Sequence, residues 1–181
     1  MRKVKVTSLI SVAVVAASLI IPIQSAQAAC KPVKPSGRTV GEIQVGSLKM
    51  PIKPFNYPAG GIMEPQKSTQ MLAMSQRHQP LEATMGTTVL AWHVNFAGCI
   101  NPLNTLTNKN VGFEFQIRGE DDGVISYTIT NKFKVKKGNY KQNWFNVIGP
   151  RQLLLVTCGG PFRDGHYQEN VVVIAKPTEE I

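Results

Sequence analysis

From about residue 40 to its end, the chain carries short apolar runs separated by turn-forming residues. Runs of this length, rich in β-branched and aromatic residues, are typical of strands rather than helices. An Asp-Gly pair at Asp122–Gly123 indicates a hairpin turn between two of them. The predicted strands are Val40–Val45, Leu48–Ile52, Thr87–His93, Gly112–Arg118, Val124–Thr130, Phe133–Val135, Phe145–Ile148, Leu153–Thr157 and Val171–Ala175.

About eight strands with turns between them predict an all-β fold, a barrel or a sandwich, with little helix. Two stretches are predicted to be long loops, Pro54–Pro65 with its Gly-Gly pair and residues 97–110 with Gly98 and Pro102. The chain length fits one domain with a single core.

The first residues have the composition of an export signal. Basic residues at positions 2, 3 and 5 precede an apolar stretch from Leu9 to Ile23, which is followed by Ala26 and Ala28. This order is typical of a secretory signal, and the stretch is shorter than the roughly 20 apolar residues of a membrane span. The expected organisation is a signal peptide or signal anchor over residues 1–28, a linker over 29–37 and one extracytoplasmic domain over 38–181.

Charge narrows the expected partners. The whole chain has a formal charge of +9, and without the predicted signal 17 basic residues remain against 11 acidic ones. A moderately basic exported protein suits an anionic cell envelope, whether it is secreted or held there by its N-terminal segment. Nucleic acid is not an expected partner, because no run combines clustered Lys and Arg with interleaved aromatic residues.

The candidate chemistry is a thiol and an imidazole. Cys158 follows the apolar strand Leu153–Thr157 and precedes Gly159 and Gly160, where the backbone is expected to turn away from the strand. His93 also comes at the end of a short apolar run, so both side chains are expected at strand ends on one rim. A cysteine and a histidine brought together by the fold are the minimum for thiol catalysis.

Three cysteines in an exported protein leave one unpaired if a disulfide forms. Cys30 and Cys99 are the natural pair if Cys158 stays free, and the alternative is three free thiols. The cysteines and histidines lack the close spacing of zinc ligands, so neither a metal nor a cofactor is predicted.

The segment around Cys158 resembles the sortase family of cysteine transpeptidases. Leu155–Cys158 matches the L-x-T-C core of the family signature, with Leu154 where its first threonine usually stands. Thr157–Phe162 and the later stretch Gly165–Val173 resemble the class E/F (actinobacterial-type) branch. Ala91–Val94 is similar to that branch's A-G-H-V stretch around the catalytic histidine, and the whole resemblance covers about residues 38–176.

The resemblance implies a closed β-barrel of seven or eight strands and a transpeptidase or hydrolase. Cys158 would cleave an L-P-x-T-G-like sorting signal of a protein substrate through a thioester intermediate. The acyl group would then pass to an amine of a peptidoglycan precursor or of another protein in the cell wall. His93 would be the general acid and base, and Thr157 and Trp92 would contact the substrate.

Two positions depart from the family pattern. Trp92 stands where the family has a small residue before the histidine; its bulk either packs into the barrel wall or narrows the site. Gln168 occupies the position of the family's arginine, and the nearest arginine is Arg163, expected on the loop after Cys158. Arg163 is therefore the candidate third catalytic residue, as the donor that holds the oxyanion.

Two other functions compete with an active sortase. The absent arginine fits a sortase-like barrel of the cell envelope with impaired catalysis. Alternatively, Ala97–Ile100 resembles the G-C-I core of L,D-transpeptidases, which would make Cys99 the nucleophile. That motif normally continues with an arginine, and Asn101 stands there in this chain.

Overall fold

The computed structural model describes residues 30–57 and 63–180, so the predicted signal and the Gly-Gly pair of the first long loop lie outside the described residues. Besides short 3-10 turns at Gln142–Phe145 and Thr178–Glu180, the described elements are β1 (Gly41–Val45), β2 (Leu48–Phe55), β3 (Leu72–Ser75), β4 (Thr87–Trp92), β5 (Asn95–Phe96), β6 (Cys99–Ile100), α1 (Asn104–Thr107), β7 (Glu114–Gly119), β8 (Val124–Lys136), β9 (Gln152–Arg163) and β10 (His166–Pro177).

Eight of these strands close into a barrel in the order β1-β2-β3-β4-β9-β10-β8-β7, with β1 pairing back to β7. The pairs β2/β3 and β4/β9 are parallel and the others are antiparallel, while β5 and β6 form a separate small hairpin. The predicted all-β fold, a closed barrel of seven or eight strands with little helix, is confirmed. No helix within residues 30–57 and 63–180 is long and apolar enough to cross a membrane.

The run that precedes Cys158 is apolar throughout because it is buried on both faces. Leu153 and Leu155 point into the barrel interior, whereas Leu154 belongs to a second cluster on the outer face. Successive strand residues point to opposite sides, so burial of both sides produces a continuous apolar run. The segment between β8 and β9 covers this outer face with Trp144 and Phe145.

Several element boundaries differ from the sequence-based prediction. Val124–Thr130 and Phe133–Val135 are parts of one strand, β8, which pairs with β7 in its first half and with β10 along most of its length. Phe145–Ile148 was predicted as a strand but is not one: a 3-10 turn ends at Phe145, and Ile148 is 76% exposed. Within that stretch Phe145 packs on the sheet without joining it, whereas Val147 and Ile148 are exposed.

Two further elements fall in stretches without a strand prediction. Strand β3 is short and lies between loops, yet it is fully buried and pairs with both β2 and β4. The predicted loop 97–110 contains β6 and the single helical turn α1, whose Leu106 is buried in the barrel interior.

Strand β9 does not end at Cys158 as the sequence predicted. It continues to Arg163, and the chain reverses at Asp164–Gly165, both of which have positive φ. Gly160 and Pro161 instead form a bulge, because these two residues oppose the single residue Gln168 of β10. Glycine at positive φ (71°) and proline without an N–H group are both suited to a bulge.

A disulfide joins Cys30 to Cys99 and fastens the N-terminal segment to the β5–β6 hairpin. The segment also accepts hydrogen bonds from the protein body, from Ser68 Oγ to the Val33 carbonyl (2.5 Å) and from Lys53 Nζ to the Gly37 carbonyl (2.5 Å). Residues 30–40 have no regular secondary structure and yet are bound along their length. A linker over 29–37 stays a prediction.

Replacing this disulfide by the pair Cys30→Ser and Cys99→Ser is expected to lower the free energy of unfolding by about 4 kcal/mol. The reason is that a cross-link across 69 residues removes much of the entropy of the unfolded chain. Urea titration of both proteins checks the value, and Cys158→Ser serves as the control for a cysteine outside the cross-link. A loss below about 1 kcal/mol would contradict the expectation.

Candidate active site

A cavity of about 570 Å³ opens on the outer face of the barrel, over β4, β9 and β10. Its floor and walls are largely apolar and include Met63, Val89, Ala91, Phe145 and Val156. Polar and ionisable groups also line it, namely Tyr57, Glu64, His93, Lys137, Tyr140, Thr157, Cys158 and Asn170. A cavity of this size with a few convergent polar groups is typical of a ligand-binding site.

The fold brings Cys158 and His93 together at this cavity. In the parallel pair β4/β9, Trp92 lies opposite Thr157, and the next residues along the two strands are His93 and Cys158. Both are partly exposed, and both line the cavity. Strand β4 ends here whereas β9 continues beside β10 alone, so the thiol lies at the barrel rim although it is in the middle of its strand.

The remaining thiols of the chain are not free. Cys30 and Cys99 are bonded to each other, and Cys158 is the third of the three cysteines in the sequence. A cysteine in a disulfide cannot act as a thiolate nucleophile. The L,D-transpeptidase hypothesis, which required Cys99, is therefore wrong for this structure.

A backbone carbonyl holds the ring of His93. Its Nε2 lies 3.0 Å from the carbonyl oxygen of Pro65, and Phe96 packs at 5.9 Å between ring centroids. Because a carbonyl only accepts, Nε2 carries a proton in this contact, and Nδ1 is the nitrogen that can take up or release the second one.

Asn170 lies directly across from Cys158 in the antiparallel pair β9/β10 and is 8% exposed. Its Nδ2 donates a hydrogen bond to the hydroxyl oxygen of Tyr140. Burial raises the pKa of Tyr140, a negative charge on Cys158 raises it further, and the Asn170 hydrogen bond lowers it. The phenol therefore remains protonated at neutral pH and has an O–H group to donate beside the thiol.

Sequence reasoning did not select Tyr140 or Asn170 as site residues. Asn170 falls inside the stretch that resembles the family, which was a usable signal. Tyr140 lies in the covering segment between β8 and β9, where no motif marks it.

Hydrogen bonds of Thr157 and Trp92 join β9 to β4 and β4 to α1 next to the thiol. Thr157 Oγ1 donates to the Trp92 carbonyl at 2.8 Å, and Trp92 Nε1 donates to Asn104 Oδ1 at 3.0 Å. The Trp92 side chain belongs to the interior cluster, so its bulk packs into the barrel wall. Both residues border the cavity, and their contact with substrate stays a prediction.

The structure does not bring Arg163 or Gln168 to the thiol. Arg163 is the exposed last residue of β9 rather than part of a loop, and Gln168 opposes the bulge. Gln168 Nε2 donates to the carbonyls of Arg163 (3.1 Å) and His166 (3.2 Å) at the hairpin end. Neither side chain is among the described residues that line the cavity.

Solved structures of similar fold include several sortases. Sortase C-1 from Actinomyces oris has a TM-score of 0.61 at 15% identity, over 78% of this chain and 75% of that one. Pilus-related sortase C of Group B Streptococcus has a TM-score of 0.60 at 18% identity, over 79% of this chain and 69% of that one. Sortase A from Corynebacterium diphtheriae has a TM-score of 0.59 at 15% identity, over 78% of this chain and 61% of that one. At these identities the likeness concerns the fold.

A comparison with curated protein sequences found no match. The sortase domain family, in contrast, matches residues 47–178, which is most of the chain and includes both His93 and Cys158. The chain therefore belongs to the sortase family.

Proposed function

We propose that this sortase is an active transpeptidase in which Cys158 cleaves an L-P-x-T-G-like sorting signal of a protein and joins that protein to a cell-wall amine. The observation that carries the proposal is that the chain's one unbonded thiol and His93 border the same cavity. The resemblance of residues 157–173 favours the class E/F branch of the family.

In the first half of the reaction, the Cys158 thiolate attacks the carbonyl carbon of the Thr-Gly bond. The electron pair of the C=O bond moves to oxygen, and the tetrahedral intermediate collapses to a thioester as the glycine amine leaves. His93 gives the leaving amine its proton. In the second half, an incoming amine attacks the thioester, His93 takes up the amine's proton and the Cys158 thiolate is released.

The cavity supports a peptide substrate with apolar side chains. Its apolar wall adjoins the thiol on one side and the covering segment on the other. Leucine and proline side chains of a sorting signal would bury there, since apolar burial contributes about 25 cal/mol per Å². The disulfide agrees with an extracytoplasmic location, because such bonds persist in oxidising compartments.

The test is capture of the thioester on the unmodified protein. A panel of L-P-x-T-G-like peptides is incubated with and without an amine acceptor such as triglycine, and intact-protein mass spectrometry reports acylation of Cys158. Acylation without acceptor and ligated product with acceptor are the expected results. Product released by water alone would indicate hydrolase activity.

The second candidate is a sortase-like envelope protein with impaired catalysis. It is favoured by the finding that no arginine is among the described residues that line the cavity. In that case no peptide of the panel acylates Cys158, although iodoacetamide still alkylates it.

A further inference from the structure

Acyl transfer to Cys158 places a negative charge on the former carbonyl oxygen, and a donor must face that oxygen. Of the candidates from the sequence, Arg163 lies at the hairpin end of β9 and the Gln168 side chain donates to the Arg163 carbonyl there. Two neutral polar side chains of the cavity lining come from the β10 position opposite Cys158 and from the segment that covers this face of the barrel. These are Asn170 and Tyr140.

The bulge in β9 determines which β10 residue faces the thiol. On the far side of the bulge His166 pairs with Arg163, and that register would set Val171 opposite Cys158. The extra residue at Gly160–Pro161 shifts the register by one, so that Asn170 faces Cys158. Directly opposite residues of an antiparallel pair have Cβ atoms roughly 5 Å apart and point to one face.

Two contacts orient Tyr140. The Asn170 amide donates to its hydroxyl oxygen, and Phe145 packs edge-on against its ring at 5.7 Å. Phe145 is itself held on another side by His78 at 5.6 Å. A hydroxyl that accepts one hydrogen bond keeps its own O–H for donation, and here that group lies at the cavity.

We propose that Tyr140 donates its O–H to the oxyanion formed when Cys158 is acylated, and that Asn170 is the positioning residue that orients this hydroxyl. A neutral pair thus does in this chain what a guanidinium does elsewhere in the family. The inference rests on the proposed function as far as the natural substrate is concerned. Its test uses a simple ester and does not depend on that function. As the C–S bond forms, the C=O electron pair moves to oxygen and accepts the Tyr140 hydrogen bond. Collapse restores C=O and expels the leaving group.

The test compares two reactions of the same thiol. Single-turnover acylation by p-nitrophenyl acetate passes through an oxyanion, whereas alkylation by iodoacetamide does not. The ratio of the two rates cancels differences in thiolate content and access, and Cys158→Ala supplies the background. Tyr140→Phe keeps the ring packing and removes the donor, so the ratio is expected to fall about 10²-fold, the lower end of the effect of one oxyanion donor.

Tyr167→Phe is the matched control. The hydroxyl of Tyr167 also accepts a hydrogen bond, from the Asn95 amide at 3.2 Å. Tyr167 is not among the described residues that line the cavity. Its variant is expected to keep the wild-type ratio. A lower ratio of acylation to alkylation in both tyrosine variants, or in neither of them, would overturn the proposal.

The role of Asn170 is tested by a double-mutant cycle. If Asn170 acts through Tyr140, Asn170→Ala lowers the ratio, and Asn170→Ala combined with Tyr140→Phe is no worse than Tyr140→Phe alone. Additive losses would contradict the positioning role. If the ratio of acylation to alkylation falls in Lys137→Met or Arg163→Ala and is unchanged in Tyr140→Phe, the donor is one of those two cations.

The ester needs no sorting signal, so the two proposals fail separately. If no sorting peptide acylates the protein but the ester ratio depends on Tyr140, the proposed substrate is wrong and the donor stands. If sorting peptides acylate Cys158 but the ester ratio is the same in Tyr140→Phe, the proposed function stands and Tyr140 is not the donor.

Discussion

Cys158→Ala is expected to abolish both thioester formation and transpeptidation, to below the detection limit of a labelled-peptide assay. The reason is that no other thiol of the chain is free, since Cys30 and Cys99 are bonded to each other. Without a thiol no acyl-enzyme can form, and the remaining groups of the cavity can bind a peptide but cannot accept its acyl group.

Cys158→Ser is the companion variant, because it keeps a smaller nucleophile in the same place. Serine is far less ionised than cysteine at neutral pH, so it is also expected to be inactive. Thermal unfolding should show that both variants are folded, because Cys158 is partly exposed and lies outside the main clusters. Transpeptidation that survives in folded Cys158→Ala would refute the assignment of the nucleophile.

His93→Ala is expected to lower the rate of acylation by a sorting peptide about 10²- to 10⁴-fold, the usual contribution of a general acid or base. The side chain borders the cavity beside Cys158, and its Nε2 is occupied by the Pro65 carbonyl. Its removal takes away the group that protonates the leaving amine. Added imidazole should restore part of the rate, which a merely structural loss would not allow.

His166→Ala is the matched control for this experiment. His166 is an exposed histidine at the start of β10 whose Nδ1 contacts the Asp164 carbonyl, away from the described cavity lining. It should keep the wild-type rate. Equal losses in the two histidine variants, or no response of His93→Ala to imidazole, would remove His93 from its proposed role.

Much of the barrel was predictable from local patterns. The apolar run before Cys158 and the run before His93 are strands because both of their faces are buried. The prediction failed where an apolar residue is buried without being part of a strand: Phe145 in the stretch Phe145–Ile148 covers a sheet from a 3-10 turn. It also missed β3, because a strand of four residues is too short to give a clear pattern.

The meeting of Cys158 and His93 at one cavity could also be predicted from the sequence. Cys158 and His93 each follow a strand-forming run, and parallel neighbours place corresponding ends side by side. The two glycines after Cys158 were a less reliable guide. They allow a turn, but in this structure Gly160 forms a bulge and the strand continues.

The fold class and the proposed nucleophile and base thus follow from the sequence, because they depend on short-range patterning around Cys158 and His93. The surroundings of the thiol do not. Asn170 faces the thiol because of a one-residue shift in strand register, and Tyr140, which lies in the covering segment, is hydrogen-bonded to Asn170. Cys99 is not a free thiol because it forms a disulfide with a cysteine 69 residues away. Each of these depends on contacts between residues distant in sequence, which form only when the barrel closes.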